Sequence, residues 1–108
     1  MTKDSFQAVL ELTGLPVVYS HFRKATELPY IVFELNADTQ TFADNTHLQE
    51  IAGGFVELYT AFKDTAAEKL VRDVLLEAGI AFGKDYESYD RESDTFVNRW
   101  RFQFLYKD

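Results

Sequence analysis

Residues 28–79 constrain the fold most, because the hydrophobic pattern there changes period with almost no linker. A short apolar run (Tyr30, Ile31, Val32, Phe33, then Glu34 and Leu35) opens after Leu28-Pro29 and gives way to a polar turn over residues 36–45. A longer apolar run over residues 48–62 follows, and it passes directly into an amphipathic pattern that stops at Gly79. Period-two patterning followed by 3.6-period patterning predicts strand, turn, strand, helix. The unit holds no residue set suited to catalysis, so it reads as part of a small α+β domain that presents surfaces.

The helix is expected over residues 65–78. Thr65 and Glu68 match a capping box, and Ala67, Leu70, Val71, Val74, Leu75 and Ala78 recur at helical spacing. Glu68–Arg72 and Lys69–Asp73 add favourable i,i+4 pairs. An earlier helix is expected over residues 5–13, with Asp4 and Gln7 at its start, a stripe of Phe6, Val9 and Leu10, and Gly14 as its stop. Residues 17–22 read as a strand after Leu15-Pro16. In the long run, Leu48, Val56, Leu58 and Phe62 share one parity and Ile51, Phe55, Glu57 and Tyr59 the other. Gly53-Gly54 interrupts it, which predicts a bulge, a sharp bend or the close approach of another backbone.

The last element is a hairpin. Residues 82–89 pair with residues 96–106 across the acidic turn 90–94. Phe96, Trp100, Phe102, Phe104 and Tyr106 alternate with Arg99, Arg101 and Gln103, the signature of one buried face and one wet face. The predicted order is α-β-β-β-α-β-β. The fold class is α+β, a mostly antiparallel sheet of four to five strands with two helices packed on one face.

A chain of 108 residues reads as a single domain. Its 16% aromatic content argues against disorder. With no cysteine there is no disulfide and no thiolate metal site, which fits a reducing compartment. The opening residues lack the charged-then-apolar pattern of a signal peptide, and no apolar run is long enough to span a bilayer. A formal net charge of −7 disfavours sequence-independent nucleic-acid binding. Arg23-Lys24 and Arg99/Arg101 are the candidates for a local basic patch.

Chemistry-bearing motifs fail on inspection. His21 and His47 are far apart and have no cysteine partners, so a metal site would need both to converge with carboxylates. Residues 90–94 place carboxylates at alternate positions, as a calcium loop does, but Thr95 and Arg101 stand where Gly and a bidentate Glu are required. Gly79 to Lys84 is one residue short of a phosphate loop and follows its helix instead of preceding it. No nucleophile elbow is present. The expectation is a non-enzymatic chain without metal or cofactor. Phe96, Trp100, Phe102 and Phe104 are expected to fill the core. Tyr30, Tyr59, Tyr86, Tyr89 and Tyr106 are candidates for outward faces that bind protein partners.

Several segments together resemble a known family. They are Gly14-Leu15-Pro16-Val17 with Tyr19 and Phe22, then Pro29-Tyr30-Ile31-Val32, then Asp44-Asn45, and then Val56-Glu57-Leu58-Tyr59-Thr60. In this order, with the helix and closing hairpin, the chain resembles the tail-completion proteins of long-tailed bacteriophages and prophages, and among them the tail terminators. The resemblance runs through most of the chain and rests on structural motifs, with no active site to carry across. It implies a virion protein at the tail–neck junction, folded in the host cytoplasm. Such a protein forms a ring, typically hexameric, that caps the tail tube, halts its polymerisation and presents the tail to the head. The implied partners are other copies of the chain, the tail tube protein and a neck or head-completion protein, with DNA passing through unbound. The alternatives are a head–tail connector subunit and, in another class, a non-viral small-ligand-binding α+β domain. A ring needs two different mating patches on each subunit. Thr41, Phe42, Asp44 and Asn45 of the polar turn, with Gly53, Gly54 and Tyr59 of the long strand, are the candidate interface residues.

Overall fold

A computed structural model describes residues 1–20, 27–36, 40–44 and 47–106. The elements run α1 (Lys3–Glu11), β1 (Val17–Tyr19), β2 (Tyr30–Leu35), β3 (Gln40–Asp44), β4 (His47–Thr60), α2 (Thr65–Glu77), β5 (Ala81–Asp90) and β6 (Thr95–Tyr106). The α+β class with a mostly antiparallel sheet holds, and the sheet gains one strand over the expected order. Its six strands follow β1-β2-β4-β6-β5, with β3 also paired to β4. Every pairing is antiparallel except β1 with β2, which are parallel.

The extra strand, β3, lies inside the segment expected to be a polar turn. Its pairing, Gln40↔Ile51 through Asp44↔His47, continues along the edge of β4 where β2 stops at Leu35↔Gly54. Thr41 and Phe42 supply β-favouring residues there, but flanking Asn and Asp residues mask the strand pattern. Asn45, His21, Arg23 and Lys24 lie outside the described residues, as do the side chains of Thr41, Phe42, Asp44 and His47.

α1 begins earlier than its sequence signals suggested, and α2 begins at Thr65 as expected but with a different cap. Thr2, not Asp4, caps α1: its Oγ1 accepts from the Ser5 N–H at 3.1 Å, and Ser5 Oγ accepts from the Thr2 N–H at 2.7 Å. Asp64, not Thr65, caps α2 through a 3.0 Å bond from the Ala67 N–H, with its carboxylate at the positive end of the helix. Gly14 and Gly79 sit just past the helices at φ +81° and +72°, the left-handed conformation that ends a helix without a Cβ clash. The expected Glu68–Arg72 pair does not form. Glu68 is buried and turns instead to Lys63 at 2.8 Å and Lys84 at 3.6 Å, tying the start of α2 to β5. Lys69–Asp73 forms as expected.

Strand alternation builds the core. Ile31 and Phe33 on β2, Ala52, Val56 and Leu58 on β4, and Trp100, Phe102 and Phe104 on β6 form one cluster with Phe6 and Leu10 of α1 and Ala67, Val71 and Leu75 of α2. Phe6 stacks on Phe102 with centroids 4.2 Å apart and meets Phe33 and Phe104 edge-on. Each fully buried side chain of this size contributes about 1.5–3 kcal/mol of hydrophobic stabilisation. Leu70 and Phe62 fall outside the core and stand exposed. Asn98 occupies a core-facing position on β6 with no measurable exposure, and neither its carboxamide N nor its O has a hydrogen-bond partner among the described residues.

No bulge occurs at Gly53-Gly54. Register with β6 runs unbroken through Gly53↔Gln103 and Gly54↔Phe102, and the sheet's irregularity lies at Lys84/Tyr86 on β5. The third expected possibility, close approach, is what occurs at Gly54. A Cβ there would fall 1.9 Å from the Glu34 carbonyl oxygen.

Candidate functional site

The alternation that buries one face of the sheet leaves the other without a covering layer among the described residues. Register sets its side chains in cross-strand rows. One row reads Val32, Glu57, Arg99 and Tyr86 across β2, β4, β6 and β5. The next rows contribute Tyr30 and Tyr59 on one side, and Glu34, Phe55, Arg101 and Gly83 on the other.

Glu57 is the centre of this surface, with only 8% of its area exposed. It accepts from Arg99 Nη2 at 3.0 Å and Nε at 3.3 Å, from the Tyr59 hydroxyl at 3.2 Å and from the Tyr86 hydroxyl at 3.2 Å. Arg99 in turn lies over the Phe55 ring at 3.9 Å and the Tyr86 ring at 5.1 Å. Tyr59 stacks on Tyr30 with centroids 4.8 Å apart and planes 17° from parallel. Burial, then the Glu57 charge, raises the Tyr59 and Tyr30 hydroxyls above the usual phenol range. Tyr86 rises for the same two reasons, with Arg99 opposing. For Arg99, burial pulls the guanidinium down, but the Glu57 hydrogen bond and charge outweigh it and the net shift is upward.

The carboxylate is thus surrounded by protein donors, an arrangement suited to fixing side chains in place. What it fixes is a flat patch of Tyr, Phe and Arg, the residue types enriched at protein–protein contacts. Tyr59, a candidate from the sequence, lies in this patch. Gly54 is buried, its backbone close against Glu34. Glu57, Arg99 and Tyr86 form the network that sequence reading missed as a unit. Its signal was parity, since each sits on the wet face of its strand, but only strand order brings them into one row.

Beside the patch lies an open hollow of about 420 Å³. Asn36, Gly53, Ala81, Gly83, Arg101 and Gln103 line it. Gly53 pairs with Gln103 and Gly83 with Arg101, so two glycines flank β6 and lower the floor on either side of it. Arg101 has 69% of its side chain exposed and holds Asp85 through Nε at 3.3 Å.

Among the described residues no cluster of three or more metal-ligating side chains occurs, and no helix is long and apolar enough to cross a membrane. No family model matches the chain, and no curated protein matches it. Solved structures do share its fold. The chain is similar to a subunit in the virion of a native gene transfer agent particle, with 16% identity, a TM-score of 0.58 and coverage of 91% of this chain and 84% of that one. A second solved chain, designated only by a sequence label, is 14% identical with a TM-score of 0.53, and the match covers 100% of this chain and 98% of that one. The α+β architecture built from these strands and helices is therefore one that a virion subunit also adopts.

Proposed function

We propose that this chain is a structural subunit of a phage-type virion. In this reading it is a tail terminator that assembles with copies of itself into a ring, caps the tail tube and offers the tail to the head. The observation that carries the proposal is the fold shared with a gene transfer agent virion subunit over 91% of the chain. The open sheet face supports it: a Tyr, Phe and Arg patch organised around a buried Glu57 offers large contact area with little side-chain freedom left to lose. The net charge of −7 suits a ring through which DNA slides without being gripped. The chain's work is mechanical, with no catalysis and no cofactor, and its partners are other copies, the tube protein and a neck protein.

Negative-stain electron microscopy of induced lysates, with the gene disrupted in its parent phage or prophage, tests this. Overlong or ragged headless tails beside filled heads are the expected result. Tails of normal length that fail to join heads would assign the subunit to the neck as a connector. Intact infectious particles would overturn the virion role and return attention to a small ligand.

A further inference from the structure

The hollow on the open face has a feature that the isolated subunit does not need. Gly83 lies inside a strand, where glycine is among the least favourable residues. Its φ is not positive, and a Cβ added to it would meet no atom within 4 Å. Gly53 is similar: its φ is not positive, and an added Cβ would make only ordinary contacts, 3.5 Å from the Phe102 carbonyl oxygen and 3.9 Å from Gln103. Neither backbone strain nor crowding within the subunit explains two glycines on one exposed floor. Space kept for an approaching chain does.

The other end of the same hairpin offers a chain to fill that space. Its tip, residues 90–94, carries Asp90, Glu92 and Asp94 against the single base Arg91. The tip is held in shape before any contact is made. The Glu92 N–H donates to Asp90 Oδ1 at 3.0 Å, Thr95 Oγ1 donates to the Ser93 carbonyl at 3.0 Å, and the Tyr89 hydroxyl donates to Asp94. At the hairpin base, Arg101 uses Nε for Asp85, and its terminal nitrogens have no partner among the described residues. Asn36 and Gln103 add amide donors at the rim. Acidic copies of this chain repel one another overall, so self-association requires local charge complementarity of this kind.

We propose that the glycine-floored hollow receives the acidic hairpin tip of a second copy, with Glu92 or Asp94 on the Arg101 guanidinium. The proposal rests on the reading that the chain assembles with itself, and it names the surfaces. Plug and socket lie at opposite ends of one hairpin. Each copy is a donor on one side and an acceptor on the other, the heterologous geometry that closes into rings.

The absence of cysteine gives a direct test. Gly83 and residue 92 are separated by roughly 25–30 Å of extended strand, so cysteines placed at both sites in one subunit cannot bond to each other. Under mild oxidation, Gly83→Cys/Glu92→Cys is expected to give a ladder of disulfide-linked oligomers, while each single variant, whose cysteine meets none across this contact, stays unlinked. In parallel, Arg101→Glu should weaken self-association at least about tenfold in sedimentation, and Arg101→Glu/Glu92→Arg should recover it. A wild-type oligomer with no ladder and no response to Arg101→Glu would overturn this contact and leave self-assembly standing. A wild-type monomer at all concentrations, again with no ladder, would overturn the ring reading and the contact together.

Discussion

Glu57 and Arg99 face each other across the β4–β6 ladder, joined at 3.0 Å on the sheet face opposite the helices, and yet Glu57 keeps only 8% of its surface exposed. Its neighbours' rings do the covering. Arg99→Leu leaves the buried Glu57 carboxylate without its cation and Glu57→Leu leaves the Arg99 guanidinium without its acceptor, so each should cost about 2–3 kcal/mol in urea unfolding. The double replacement should cost less than either single change. An additive double mutant would show that the two residues act independently.

The raised tyrosines give a pH signature. A phenol whose folded pKa lies above its unfolded value contributes stability that is fully present below about pH 10. That contribution is lost as pH rises through the folded value. Tyr59, Tyr30 and Tyr86 are all raised, so absorbance titration near 295 nm should show tyrosinates forming late and the native state losing stability above pH 10. In Glu57→Gln, the burial that is the largest cause for Tyr59 remains while the charge is gone, so its titration should move down only part of the way.

Neighbouring glycines should behave differently. Gly54→Val places a Cβ within 1.9 Å of the Glu34 carbonyl oxygen, so β2 must separate from β4 for the chain to fold. Expression with little soluble protein, or loss of several kcal/mol, is expected. Gly53→Ala makes only ordinary contacts and should melt within a few degrees of the wild type.

Phe102 stacks on Phe6 at 4.2 Å and is 2% exposed, so it ties α1 to the sheet. Phe102→Ala should cost about 3–5 kcal/mol by thermal or chemical melt. A near-neutral result would mean that the faces of β6 are assigned backwards.

Asn98 is a buried polar side chain whose amide has no partner among the described residues. Replacing it with an apolar side chain of similar shape removes that desolvation cost, so Asn98→Leu should be neutral or raise stability by about 1–2 kcal/mol. A drop of that size in a melt would show that the amide makes a contact in solution.

How much of this was legible in the sequence depended on what each feature needs. The helices, the closing hairpin and the two faces of β6 follow from periodicity and local stop signals, and these are one-dimensional. The cap of α1 was misread because Ser5 can complete the same reciprocal bonds from Thr2 that Gln7 was expected to make with Asp4. β3 escaped because a short strand at the edge of a long one takes its stability from the ladder and little from its own composition. Phe62 shared a parity with Val56 and Leu58 in the sequence, but β4 ends at Thr60 and Phe62 stands exposed, because the phase of a strand carries no information past its last residue. The Glu57 network needed the order β2-β4-β6-β5, which no local pattern contains. Tyr59 was found because it lies within a recognisable segment, whereas Arg99 entered only as a possible basic patch.

The position of β6 in the sheet also bears on when the fold becomes complete. It lies inside the sheet, between β4 and β5, and its ladder with β4 runs from Thr60↔Phe96 to Glu50↔Tyr106. On the ribosome, β6 emerges after every other strand described. Until then β4 has nothing along that side, Phe6 lacks the ring it stacks on, and the Glu57 carboxylate lacks its cation. A nascent chain in that condition can present neither the Tyr and Arg patch nor the hollow whose floor β6 helps to form. Synthesis order thus works as a timer, since the open face of the sheet is complete only once its last-made strand is in place.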